Sequence, residues 1–169
     1  MTRERPSAVD ELVRELEEAR SEFGAALADV DPALLSAPGL VGEWSAAQVV
    51  AHLGYWAGHA TEALHRAELG ELDGFGRDEP EVDATNAVVA RVAAETDPRT
   101  VLEREEAACA ALLAHLRVVD PETLDERTGG GDTLEQVLRD DGSDHYREHT
   151  ADLRTWFTGA DDTGADDDD

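Results

Sequence analysis

Apolar residues return every three or four positions over four long stretches of this chain. Nowhere do they alternate with polar ones as a half-buried strand requires. The first stretch holds Val9, Leu12, Val13, Leu16, Ala19, Phe23, Ala26 and Leu27. Ser7 stands ahead of it as an N-cap. Asp10 and Glu11 fall in the first turn, where the helix dipole favours acids, and Asp31-Pro32 ends the run. In the second, Ser45 is followed three residues later by Gln48, a capping box with Trp44 placed as its hydrophobic staple. That helix is expected from Ala46 to Leu69, with Gly70 as its C-terminal cap. The third opens on Asp97-Pro98, a cap with proline at the first helical position. It runs from about Arg99 to Val118, turning Val101, Leu102, Ala108, Ala111, Leu112, His115 and Leu116 inward, until Asp120-Pro121 stops it. The last begins at Thr133 and carries Leu134, Val137, Leu138, Tyr146, Leu153, Trp156 and Phe157. Gly142 is expected to kink or split it.

The spacing predicts an all-α fold, a four-helix bundle. Between the second and third stretches lie a loop from Glu71 to Pro80 and a weakly amphipathic helix from Val82 to Ala94. So long a link implies a crossover and not a hairpin. Gly129-Gly130-Gly131 reads as a flexible turn. Residues 1–158 form the expected domain. Residues 159–169 are Asp-rich with no apolar anchor, and read as a disordered acidic tail.

Composition narrows the picture. With 169 residues and 41% apolar content, the chain can build one core without disulfides. It has no apolar run of about 18 residues for a membrane span, and Met1 to Asp10 is too polar for a secretory leader. The single cysteine, Cys109, rules out an internal disulfide. It points to small core filler and to a cytoplasmic location. The formal charge is −26, from 40 acids against 14 bases, and every base is arginine. Such a surface repels phosphate backbones and anionic lipid, so neither nucleic acid nor membrane is an expected partner. GC-rich coding and adaptation to high salt explain the missing lysine equally well.

The chemistry lies in six histidines: His52, His59, His65, His115, His145 and His149. His145 and His149 are one turn apart on the last helix, their side chains about 40° apart around its axis. Two imidazoles so placed can bind one divalent ion. Alone the pair is weak evidence, since two exposed histidines would look the same. His52 adds to it. It sits in the apolar run Val49-Val50-Ala51-His52-Leu53, where an imidazole facing a core must be hydrogen-bonded or coordinated. Three histidines from two helices leave a coordination position open, as a catalytic metal needs. His59 lies on nearly the same stripe as His52, with Tyr55 and Trp56. It competes as a ligand, but pocket or rim is its expected place. His115 reads as a core histidine bonded to a carbonyl, and His65 as exposed. The run His145-Tyr146-Arg147-Glu148-His149 matches the inverted zinc-protease pattern H-x-x-E-H. Only a short acidic tail follows, with no further ligand element or substrate domain, so the protease reading is set aside. Glu148 is retained as a partner that could orient the histidines.

The stretch Glu43-Trp44-Ser45-Ala46-Ala47-Gln48-Val49-Val50-Ala51-His52-Leu53, with Trp56, and the stretch Asp144-His145-Tyr146-Arg147-Glu148-His149-Thr150-Ala151-Asp152-Leu153 together resemble the DinB/YfiT-like superfamily of metalloenzymes. The resemblance runs from the first helix to Phe157. It implies an up-down-down-up four-helix bundle with a divalent metal on one histidine of the second helix and a pair on the fourth, here His52, His145 and His149. Relatives include thiol-dependent transferases and isomerases, such as maleylpyruvate isomerase, that use mycothiol or bacillithiol. Another branch protects against genotoxic small molecules. The expected activity is therefore metal-dependent transfer or isomerisation of a small electrophile with a low-molecular-weight thiol, or hydrolysis. Tyr55, Trp56 and His59 would line the pocket, and Arg147 would form a surface salt bridge. The alternatives are a non-catalytic bundle that binds or sequesters a small molecule, and a structural module with merely buried histidines. Zinc is the first choice of metal, with nickel, iron(II) or copper also suited. A homodimer is compatible with the bundle faces.

Overall fold

The computed structural model describes residues 7–162, with side chains to residue 157. Its six helices are α1 (Ala8–Ala28), α2 (Ala46–Leu69), α3 (Val82–Ala94), α4 (Pro98–Leu116), α5 (Leu134–Leu138) and α6 (Asp144–Asp162). No strand occurs among the described residues; Val41–Trp44 and Arg127–Thr133 are isolated bridges. No described helix is long and apolar enough to cross a membrane.

The helix ends follow from local chemistry. Ser7, Ser45 and Thr133 each complete a capping box, with Asp10, Gln48 and Gln136 as the reciprocal partners. Each box satisfies two backbone donors that the first turn cannot pair, worth about 1 kcal/mol per cap. Gly70 closes α2 in the left-handed region at φ 70°, a conformation that costs glycine nothing. Asp97 and Pro98 open α4 as expected. That helix ends at Leu116, so Val118 falls beyond it and is exposed.

α2 packs along α4 and α1 along α6, α3 lies against α2, and α1 also meets α4. The core between them holds Leu12, Leu16 and Phe23 of α1, Leu53 and Leu64 of α2, Leu112 and Leu116 of α4, and Tyr146 and Leu153 of α6, all essentially buried. Gly54 lets α2 approach α4 closely: a Cβ there would sit 3.1 Å from the Cα of Glu105. The link between α2 and α4 carries α3. α3 buries only Ala90 and Ala93 and leaves Val82, Val88 and Val92 exposed. The segment expected as plain loop after α2 has structure of its own. Leu72–Gly74 forms a short 3-10 turn, and Leu72 and Phe75 join the core.

The last helical region divides where Gly142 predicted. α5 and α6 are joined by a π turn, Arg139–Ser143, in which Gly142 leaves helical geometry (φ −110°, ψ −109°). A π turn adds a residue to the helical repeat and so rotates everything that follows it. That rotation sets the face on which α6 presents His145 and His149. α6 continues past Gly159 to Asp162. The rest of the expected acidic tail, 163–169, lies outside the described residues, as do 1–6.

Candidate metal centre

His52 reaches the site from the second turn of α2, His145 and His149 from the first two turns of α6. His52 and His149 are buried, and His145 is partly so. One ring nitrogen from each of the three lies within 4.8 Å of the others. Nε2 of His52 stands 2.7 Å from Nε2 of His145. Two imidazole nitrogens facing each other at that distance must share a proton or an ion. A tetrahedral zinc with Zn–N bonds of ~2.0–2.1 Å would hold its nitrogens ~3.3 Å apart, inside the range spanned here. Nδ1 of His52 and Nδ1 of His145 are buried without a hydrogen-bond partner. The rings therefore do not satisfy one another as a closed structural cluster would.

His149 is oriented from behind. Its Nδ1 is 2.8 Å from Oδ2 of Asp152, one turn further along α6, which leaves Nε2 for the site. A carboxylate behind an imidazole fixes its tautomer and raises its basicity. Glu148, expected in this role, is exposed on the wall of the cleft and makes no hydrogen bond to a histidine. It precedes His149 directly, and adjacent residues on a helix point about 100° apart. The spacing of three between His149 and Asp152 was the available signal.

Burial keeps His52 and His145 uncharged. Desolvation, then the like charge of His149, pushes His52 down to about 4. Desolvation, then His52 and His149, pushes His145 down to about 3. Neutral imidazoles are the form that binds metal. The same shifts link stability to pH. The unfolded chain takes up protons at these histidines near the ordinary value of 6.5, and the folded chain resists until about 4 and about 3. Their contribution is thus fully present above 6.5 and is lost as pH falls through that window. The urea midpoint of metal-free protein should drop between pH 7 and pH 4, and the drop should shrink in His145→Leu. Equal drops in both proteins would assign the acid sensitivity to other groups.

The cleft over the histidines has a volume of about 310 Å³ and is lined by Trp56, Val82, Asn86, Asp140, Asp141 and Glu148 as well as His52 and His145. Trp56 meets His52 edge-on and donates its indole N–H to Oδ1 of Asn86 (3.0 Å). Trp44, the staple of α2, meets His52 from another side. His59 stands apart from the three histidines. Its Nδ1 is 2.6 Å from Asp141 and its Nε2 3.1 Å from Glu79, and its ring lies against Phe75. Burial would lower its pKa, but the carboxylates of Asp141 and Glu79 outweigh burial and hold it above the ordinary value. His59 thus lines a neighbouring depression, as a clamp between two acids.

Tyr55 does not line the histidine cleft. It is exposed and faces an apolar groove with Gly54, Val88, Val89 and Val92, because one residue before Trp56 the helix turns toward α3. His115 bonds the carbonyl of Ala111 (3.0 Å) but is only half-buried. His65 is exposed, Cys109 is buried, and Arg147 pairs with Asp144 (2.8 Å), each as expected. Asp140 and Asp141 stand directly before Gly142, where the helical pattern breaks. The π turn brings both into the cleft.

No curated protein sequence matches at a significant level. Among solved structures, an uncharacterised protein from Escherichia coli UTI89 superposes with a TM-score of 0.77 at 14% identity, over 92% of this chain and 96% of that one. The colibactin self-resistance protein ClbS, solved in complex with double-stranded DNA, gives 0.72 at 16% identity over 89% and 95%. The mycothiol-dependent maleylpyruvate isomerase gives 0.71 at 20% identity, covering 90% of this chain and 63% of that one, so this chain spans under two thirds of the isomerase. At these identities the likeness is one of fold. The sequence profile of the DinB superfamily matches residues 15–140, a stretch that includes His52 and ends before α6. That match covers most of the chain, and the chain belongs to the DinB superfamily.

Proposed function

We propose that this protein is a divalent-metal-dependent enzyme on an up-down-down-up four-helix bundle, acting on a small electrophile with a low-molecular-weight thiol as co-substrate. The observation that carries the reading is the convergence of three imidazoles, from two helices far apart in sequence, within 4.8 Å of one another. His52, His145 and His149 would hold the ion, with zinc the first choice, and one position would stay open toward the cleft. A bound divalent ion supplies Lewis acidity there and makes a thiol or water more acidic.

The remaining work falls to the chain's own side chains. Asp152 holds the His149 ring with Nδ1 engaged, so that only Nε2 is offered to the site. Trp56, fixed by Asn86, gives the cleft an apolar wall that restricts water. The buried setting of His52 and His145 keeps them neutral through the physiological pH range. A small molecule, and not nucleic acid, is the proposed partner, because the cleft and the surface are both acidic. A cytoplasmic location is proposed with it, since a thiol co-substrate requires a reducing compartment.

Asp152→Asn should weaken divalent metal binding about 10–100-fold while leaving the helix content intact. Titration with Co²⁺ measures this, and unchanged affinity would deny the carboxylate an orienting role. Turnover separates an enzyme from a sequestering protein on the same fold. Metal-loaded protein incubated with a thiol and a panel of electrophiles should form product well beyond one equivalent. A single equivalent, with no further accumulation, would favour sequestration.

A further inference from the structure

The histidine cleft is one-sided in charge. Asp140, Asp141 and Glu148 line it, and no arginine does. The two arginines that flank it in sequence are both engaged elsewhere. Arg139 pairs with Glu15 and Glu135, and Arg147 with Asp144. His59 lies between Asp141 and Glu79 and can offset only one of those two charges. Asp140 also borders the adjoining depression, where Asp132 and Glu79 add to the negative side.

Building on the metal reading above, we propose that the cleft selects a small molecule carrying a protonated amine beside its metal-binding group, with Asp140 and Glu148 setting that selectivity. A divalent ion attracts anionic groups of every kind and so cannot by itself choose among them. The choice rests on what the walls do to the rest of the molecule. In this open cleft the exposed carboxylates attract an ammonium group and repel a second carboxylate. The indole of Trp56, also in the lining, is a better neighbour for a cation than for an anion. A dicarboxylate would have to bring its far charge against Asp140 or Glu148 with no cation in the lining to receive it.

The test uses full-length protein loaded with Co²⁺ and three thiols of similar size: cysteamine, 2-mercaptoethanol and 3-mercaptopropionate. Thiolate-to-cobalt absorption gives each Kd. Cysteamine should bind at least ~10-fold more tightly than 3-mercaptopropionate, and the ratio should fall by a similar factor in Asp140→Asn/Glu148→Gln. Comparing the ratio between the two proteins cancels the intrinsic acidities of the thiols. Binding of 2-mercaptoethanol should change little between them, which shows that the variant still folds. A ratio that is the same in both proteins, or tighter binding of 3-mercaptopropionate to the native chain, overturns the selectivity. Failure of Co²⁺ to bind at all is a different result and overturns the metal reading beneath it.

Discussion

His52→Ala is expected to weaken divalent metal binding by on the order of a hundredfold or more, since even indirect support of a ligand is worth 10–100-fold. The change removes the only ligand that α2 contributes and leaves His145 and His149 as a one-helix pair. A pair on consecutive turns of one helix binds divalent ions weakly. The third nitrogen, brought from another helix, makes the site a cage that the fold holds in place. The substitution should leave the helix content near native, because His52 lies within α2, past its first turn, where alanine is well tolerated. Competition titration with a chromogenic chelator, together with elemental analysis of the purified protein, reads the effect. His65→Ala serves as control, since His65 is exposed and remote from the cluster. Equal affinity in the His52 variant and the native chain would separate α2 from the site and leave the enzymatic reading without support.

Tyr146→Ala is expected to destabilise the fold by about 3–5 kcal/mol, the cost of truncating a large buried aromatic. Tyr146 is fully buried, meets Phe23 edge-on, and donates its hydroxyl to Oε1 of Glu105 (2.5 Å). Glu105 is itself buried and receives Arg20 of α1 on its other oxygen (2.9 Å). One carboxylate thus ties α1, α4 and α6 together inside the core. Its charge is tolerable there only because both oxygens are engaged. Tyr146→Phe keeps the ring and loses the donor, so it should cost only about 1–3 kcal/mol. Urea unfolding measures both. Tyr146 follows His145 directly, so the alanine variant should also loosen metal binding, whereas the phenylalanine variant should retain it. A loss of stability in Tyr146→Ala below that of Tyr146→Phe would show that the ring is not a core anchor.

Much of the candidate site could be read from the chain because helical spacing is local. His145 and His149 had to share a face wherever α6 lay. His52 stood out because an imidazole inside an apolar run has to be explained by a partner. Trp56, four residues on from His52, had to follow it to the cleft. Three things resisted that logic. Tyr55 shared the stripe on paper, but α3 packs on α2 and draws it to another groove. Glu148 had the right chemistry beside the right residue, yet Asp152 at a spacing of three reached the imidazole instead. Asp140 and Asp141 carry no helical-spacing signal of their own, and the π turn makes them walls of the cleft.

The helices themselves, their caps and stops, and the histidine pair of α6 were determined by the sequence alone, because each depends on residues within one or two turns. The meeting of His52 with that pair, the turning of the acids into the cleft, and the burial of Glu105 between three helices were decided only in the tertiary structure. Distance between helices, and the rotation that an extra residue at Gly142 imposes on α6, are properties of packing. No periodicity along the chain records them, since contact across 93 residues of sequence is set by which faces exclude water together and not by any local preference.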